Sequence, residues 1–294
     1  MSWGALVAVL LWGASFVASK IALAELSPVH LVLLRVSLAA VALNCLLLRG
    51  GGGGTKITHL SRRDWGSIGL LVLISVFLHQ LMQIVGLQQT TAINGALLIT
   101  LAPLFMFILS VTFLSERVSW LKVLGFLVAL LGSVLVITRG NPRALGASNQ
   151  TFGGDLLIVL SAVGWALFSM LGKDLLQKQS PLLVVTLIFN LSLPVLAVST
   201  ALGRQSFLSA LGRMTWRGWG AAVFLAWGCS ALAYVLWYRA LQSQEMSRVS
   251  VLHYLQPLVT TLLGVLLLSE SIGWATILGG GMILGGVALV NRRQ

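Results

Sequence analysis

The chain has 294 residues, 57% of them hydrophobic and only 9% charged, with a mean hydropathy of +0.96. A soluble domain carries about 25% charged residues, so these numbers exclude a soluble fold. The net charge of +12 is read as basic residues flanking membrane helices, where they set orientation, and not as a nucleic-acid surface.

Ten apolar runs follow one another at approximately 3–22, 29–48, 66–86, 93–114, 120–138, 155–173, 182–202, 217–238, 248–268 and 273–291. Each is close to the ~20 residues a helix needs to cross a bilayer. Barrel strands are about 10 residues of alternating polarity, and these runs are longer and apolar on all sides, so we expect helices. The first run has no cleavage site of small residues behind a basic leader and is expected to stay as a helix. Gly50 to Gly54 read as a flexible linker, and Trp65 and Trp219 as interface anchors. Asn141 to Gln150 form the longest polar stretch; the triplet Asn149-Gln150-Thr151 abuts the sixth run and carries no weight as a glycosylation site.

The chain is written twice. Trp12, Lys20, Ser27 and Pro28 recur as Trp165, Lys173, Ser180 and Pro181 at an offset of 153. Trp65, Gln88, Pro103, Ser115, Glu116, Trp120, Gly125 and Gly132 recur as Trp219, Gln242, Pro257, Ser269, Glu270, Trp274, Gly279 and Gly286 at an offset of 154. Residues 1–139 and 153–294 are thus expected to be two five-helix repeats joined by 140–152. An odd number of spans per copy inverts the second copy in the membrane, an arrangement by which transporters build two gates around one central site. Twelve of the 19 basic residues, among them Arg62, Arg63, Lys122 and Lys178, fall on the side of the termini, and six on the other. That places both termini in the cytoplasm.

All seven acidic residues lie at or near helix ends, which argues against a carboxylate proton relay at mid-membrane. Glu116 and Glu270 are expected to cap the starts of the fifth and tenth spans. Pro103 and Pro257, in mate positions, should bend their helices. Polar groups within spans are expensive unless they face the protein interior, which singles out a set of candidates. The third span carries His79, Gln80 and Gln83 on one face; their mates are Ala233, Tyr234 and Trp237, beside Tyr238. The ninth span adds His253, Tyr254 and Gln256, the fourth Asn94 and Thr100, and the first and sixth Trp12, Ser15, Ser19, Trp165 and Ser169. The set on spans three, eight and nine is expected to line a water-filled cavity; polar contacts between packed helices would use the same groups. Lys20 is expected to snorkel to the interface, and Arg35 is a candidate contact for a substrate carboxylate. Gly281 and Gly285 make a G-x-x-x-G spacing that suits close helix contact, either within one molecule or at a dimer face; a monomer is expected. The two cysteines, Cys45 and Cys229, read as small packing residues. No metal-ligand spacing is present, and no metal or cofactor is expected.

Leu101-Ala102-Pro103, Leu114-Ser115-Glu116-Arg117 and the glycines 125 and 132 resemble the EamA-like signature, which Leu255-Gln256-Pro257, Leu268-Ser269-Glu270, Gly279 and Gly286 repeat. Trp12-Gly13-Ala14-Ser15-Phe16 resembles the first helix of that family, and Pro28 with Arg35 its second. The resemblance implies the drug/metabolite transporter superfamily: an all-α membrane protein of ten helices, both termini inside, with a central cavity and alternating access. Relatives in that superfamily export amino acids, including aromatic ones in the YddG-type exporters; others move nucleotide sugars, sugar phosphates, nucleobases or cationic drugs. The chain lacks a glutamate in its first span, unlike the small multidrug exporters, which argues against cation/proton exchange. The expectation is an inner-membrane exporter of small metabolites, with neutral and aromatic amino acids favoured and lipid as its other partner. A nucleotide-sugar or phosphorylated-sugar exchanger ranks lower, because only Lys20, Arg35 and Lys173 are placed to meet dense negative charge. An integral membrane enzyme would need a nucleophile, acid/base group or metal cluster at the membrane surface, and ranks lowest because His30, His59, His79 and His253 are scattered and no carboxylate–histidine or cysteine spacing supports a metal site.

Overall fold

The computed structural model describes residues 3–49, 60–114, 120–141, 151–201, 206–243 and 251–290, and among them there are helices and no strands. The helices are α1 (Trp3–Leu23), α2 (Pro28–Arg49), α3 (Arg62–Gln89), α4 (Ala92–Ile99 continued by Ala102–Leu114) and α5 (Trp120–Thr138). There follow α6 (Phe152–Lys178), α7 (Pro181–Ala201), α8 (Trp216–Ser243), α9 (a 3-10 turn Val251–Tyr254 continued by Leu255–Leu268) and α10 (Trp274–Val290). Eight of these are long and apolar enough to cross a membrane; the last two, at 252–268 and 274–290, are apolar but shorter. The Gly50–Gly54 linker, Glu116 and the Asn149-Gln150 pair lie outside the described residues.

Each expected run falls on a helix, and the differences have local causes. α3 begins four residues earlier than expected because Ser61 and Asp64 form a capping box: the Ser61 hydroxyl accepts from the Asp64 amide, and the carboxylate accepts from the Ser61 amide. α4 breaks between Ile99 and Ala102, just ahead of Pro103, where the ring would collide with the Ile99 carbonyl. In α9 the tight turn Val251–Tyr254 plays the same part ahead of Pro257. Phe207–Leu211, expected as loop, is a short helix whose Phe207 ring packs edge-on against His30 at 5.4 Å. One feature has no counterpart in the sequence reading: nine residues in the middle of α3 (Leu73–Leu81) and nine in α8 (Phe224–Leu232) are wound as π-helix.

Packing is preserved when the two halves are exchanged. α5 packs along α10 and α2 along α7; α1 lies against α8 and α9 as α6 lies against α3 and α4. The α5–α10 contact is made by glycine backbones. A Cβ on Gly132 would sit 2.6 Å from the Gly279 carbonyl oxygen, and one on Gly125 would sit 2.6 Å from that of Gly286. These are the glycines repeated at offset 154, and they pair crosswise: Gly132 meets the mate of Gly125, and Gly125 meets the mate of Gly132. Gly281 and Gly285 point away from this contact, with nothing within 4 Å, so the close approach inside the molecule is not made by their G-x-x-x-G spacing. α2 and α7 are joined by Asn44 and Asn190, whose amides exchange hydrogen bonds of 3.0 and 3.1 Å.

At one end of the bundle the turn between α3 and α4 is held by three charged groups. The Lys20 ammonium donates to the Leu87 and Thr90 carbonyls at 3.1 and 2.8 Å. Thr90 Oγ1 donates to Asp155 at 2.5 Å. The Glu270 carboxylate accepts from the Ala92 and Ile93 amides at 2.7 and 3.0 Å. Two expectations are corrected here. Lys20 does not snorkel but closes the carboxyl end of α3, where a cation suits the orphan carbonyls. Glu270 caps α4 of the other half, not α10, because the free amides that follow Thr90 are those it reaches. The cysteine expectation also divides: Cys229 is buried, whereas Cys45 is exposed.

Gly132→Val should therefore lower stability by about 1–3 kcal/mol, the usual cost of overpacking, or prevent assembly. Gly281→Val should stay within about 0.5 kcal/mol of the wild type. Thermal unfolding of the two purified variants in detergent checks the difference.

Candidate central cavity

The π-helical segments set up the middle of the bundle. A wide turn pulls carbonyls out of the ordinary i to i−4 ladder and leaves them for other donors. In α8 the Cys229 carbonyl accepts from the Trp12 indole at 2.9 Å, while the Cys229 thiol donates to the Leu11 carbonyl at 3.3 Å. In α3 the His79 ring meets the Ser161 carbonyl at 3.1 Å; a carbonyl only accepts, so Nδ1 carries the proton. α1 comes close enough to α9 for Thr260 Oγ1 to donate to the Gly13 carbonyl at 2.6 Å. Bare backbone at Gly13 and Gly164 permits both approaches, since a Cβ there would lie 2.8 Å from Val259 and 3.0 Å from the His79 amide.

Between these contacts lies a small cavity of about 30 Å³, room for little more than water, lined by Trp12, Ser15, Phe16, Arg35, His79, Gln83, Ile99, Trp165, Tyr234, His253 and Gln256. Its walls are mostly aromatic. Trp12 meets Trp165 edge-on at 5.1 Å and Tyr234 at 5.7 Å, and stacks on His253 at 5.8 Å with planes 8° apart. Trp237 supports the cluster from behind, 4.5 Å from His253 and 5.3 Å from Trp12. Mates meet here: Trp12 touches Trp165, and Gln80 Nε2 donates to the Tyr234 hydroxyl at 3.3 Å, each pair occupying equivalent positions of the two copies.

Arg35 is the cation among the lining residues. It is only 4% exposed, and its Nε donates to Ser230 Oγ, on the π-helical part of α8, at 2.6 Å. The carboxylates of Glu25, Asp64, Asp155 and Glu270 are engaged elsewhere, with Thr215, Ser61, Thr90 and the α4 amides. Around the cavity, Trp165 Nε1, Trp237 Nε1, Ser169 Oγ, Tyr238 Oη and His253 Nε2 are buried with no hydrogen-bond partner in the protein. Gln256 Nε2 sits 3.0 Å from His253 Nδ1; the amide donates, so Nδ1 is the acceptor and Nε2 carries the proton. Among the described residues no three His, Cys, Asp or Glu side chains come together as a metal site.

Of the residues singled out from sequence, Trp12, Ser15, Arg35, His79, Gln83, Trp165, Tyr234, His253 and Gln256 line the cavity. Gln80, Trp237, Tyr238 and Ser169 are buried around it without lining it. Asn94, Thr100 and Tyr254 also lie off the wall. Asn94 accepts from Thr276 at 3.4 Å, joining α4 to α10, and Thr100 bonds the Leu97 carbonyl at 2.6 Å, closing the broken turn. Pro103 and Pro257 are buried at their helix breaks, set back from the wall. Phe16 and Ile99 were missed because an apolar residue in an apolar span carries no signal; Phe16, one turn after Trp12, was open to detection by spacing. Ser230 was missed because its partner is 195 residues away.

The profile of the EamA-like transporter family matches residues 2–138 and again residues 152–292. An uncharacterized transporter of Archaeoglobus fulgidus is 29% identical over 284 residues, covering 96% of this chain and 95% of that protein. The uncharacterized transporter YyaM of Bacillus subtilis is 31% identical over 254 residues, covering 85% and 80%. A probable terminal-alkyne amino-acid exporter of Streptantibioticus cattleyicolor is 25% identical over 291 residues, covering 99% and 93%. A crystal structure with 20% sequence identity superposes with a TM-score of 0.68 over 98% of this chain and 95% of that one, a likeness of fold alone. With both halves matched and the spanning helices in place, the chain belongs to the EamA-like transporter family and is a multi-pass membrane protein.

Proposed function

We propose that the protein exports small metabolites across the cytoplasmic membrane, with neutral and aromatic amino acids as the favoured substrates. The observation that carries the reading is the lining of the central cavity, walled by indole, phenol and imidazole rings with one buried guanidinium at its edge. Aromatic walls suit an aromatic side chain, and Arg35 suits a carboxylate. The exporter of Streptantibioticus cattleyicolor, whose name specifies an amino acid, lends support over nearly the full chain.

Transport would proceed by alternating access, the two five-helix halves rocking about the centre with both termini inside. Supporting this are the two profile matches, the packing preserved on exchange of halves and the mate pairs that meet at the cavity. Nucleotide sugars fit less well: Lys20 is bonded to helix-end carbonyls and Lys173 is exposed, which leaves Arg35 as the cation among the lining residues. Catalysis is not favoured, since the polar groups of the cavity include no paired acid and base.

In proteoliposomes, labelled tryptophan, phenylalanine and threonine should show saturable flux over empty vesicles. Trp165→Ala at the wall and Trp237→Ala behind it should each reduce that flux by about tenfold or more, because each removes several kcal/mol of packing around the cavity. Flux of a nucleotide sugar with none of the amino acids would replace the substrate and keep the fold. A pH gradient is expected to change the rate little. Strong proton dependence that disappears in His79→Ala or His253→Ala would contradict uncoupled transport.

A further inference from the structure

We infer that the central site recognises the carboxylate and the aromatic body of its substrate but not an α-ammonium, so that it takes an aryl-alkanoate monoanion in preference to the matching zwitterion. This rests on the reading of the cavity as a transport site for aromatic metabolites and revises, within that class, the preference for amino acids in favour of the monoanion without the ammonium.

A buried guanidinium that lacks a counter-ion costs several kcal/mol in a low-dielectric interior. Arg35 is in that situation: Ser230 fixes its Nε with a neutral hydroxyl, and among the described residues lining the cavity none is acidic. A ligand with one negative charge neutralises the loaded site. A zwitterion brings the same carboxylate and also a desolvated ammonium, for which the lining offers amide dipoles but no opposite charge. Cation–π contact could compensate by about 2 kcal/mol on an open ring face. The Trp12 ring, however, is stacked on one side by His253 and met by Trp165, Tyr234 and Trp237, all within 6 Å.

The neutral groups agree in sign with the charge. The unpartnered indole N–H of Trp165, on the wall, can only donate. His253 Nε2 also presents its proton, because Nδ1 is taken by Gln256. These two donors, on the same wall as the Arg35 guanidinium, favour a ligand whose polar end only accepts, which describes a carboxylate and not an ammonium; the unpartnered acceptor Gln80 Oε1 lies off the wall.

The test is binding of three phenyl probes to the purified, full-length protein, read by the intrinsic fluorescence of the indole cluster, at whose excitation wavelength the probes do not absorb. 3-Phenylpropionate should bind about tenfold tighter than phenylalanine, a difference of one decade in Kd, and 2-phenylethylamine should not compete. Arg35→Gln should abolish 3-phenylpropionate binding. Arg35→Lys, which keeps the charge and guards against a misfolded glutamine variant, should bind it more weakly. Phenylalanine binding as tightly as 3-phenylpropionate, or binding by 2-phenylethylamine, would overturn this inference and leave amino-acid export standing. Binding by none of the three would overturn both.

Discussion

A polar atom in the hydrocarbon of a bilayer has no water to turn to and must find its partner within the protein. The architecture follows from that constraint. Backbone carbonyls freed by the π-helical turn of α8 are taken by the Trp12 indole, and the hydroxyl of Ser230 one residue later takes Arg35. Thr260 bridges to the carbonyl of Gly13, and His79 to that of Ser161. Each bond joins two helices near the centre, so the groups that would be intolerable against lipid are the ones that hold the wall of the cavity. The donors left over, chiefly on Trp165, Trp237 and His253, are concentrated at that same place.

A second consequence concerns how the two halves meet. Glycines placed at equivalent positions bring α5 and α10 into backbone contact, a junction with little side-chain bulk to reorganise. At the end of the bundle near the α3–α4 turn, by contrast, the halves are tied by charge: Asp155 to Thr90 and Glu270 to the first amides of α4. Lys173, the mate of Lys20, is exposed at the other end.

Much of this was legible in the residues. Apolar runs gave the helices, eight of them long enough to cross a membrane, and polar residues within spans gave nine of the lining positions. Polarity alone could not separate the wall of a cavity from the glue between helices. Asn94 and Thr100 are as polar as Gln83, yet one joins α4 to α10 and the other closes a turn. The π-helical segments leave no mark because they are a choice of backbone register, made where neighbouring helices supply partners for the freed carbonyls. Glu270 was assigned the nearest helix start, whereas its partners lie 177 and 178 residues away in sequence. Contacts of that range depend on the assembled bundle.

Transport through the centre requires that water and solutes reach the space between Trp12, Trp165 and Arg35. The most direct measurement is thiol labelling in membrane vesicles with a small charged reagent, in a chain whose exposed Cys45 has been replaced by serine. Ser15→Cys, on the cavity wall, should be modified, whereas Ser192→Cys, fully buried in α7 against the Phe189 carbonyl, should not. If Ser15→Cys is as inert as Ser192→Cys, the polar residues of the centre are packing contacts and the account of a solute pathway is wrong.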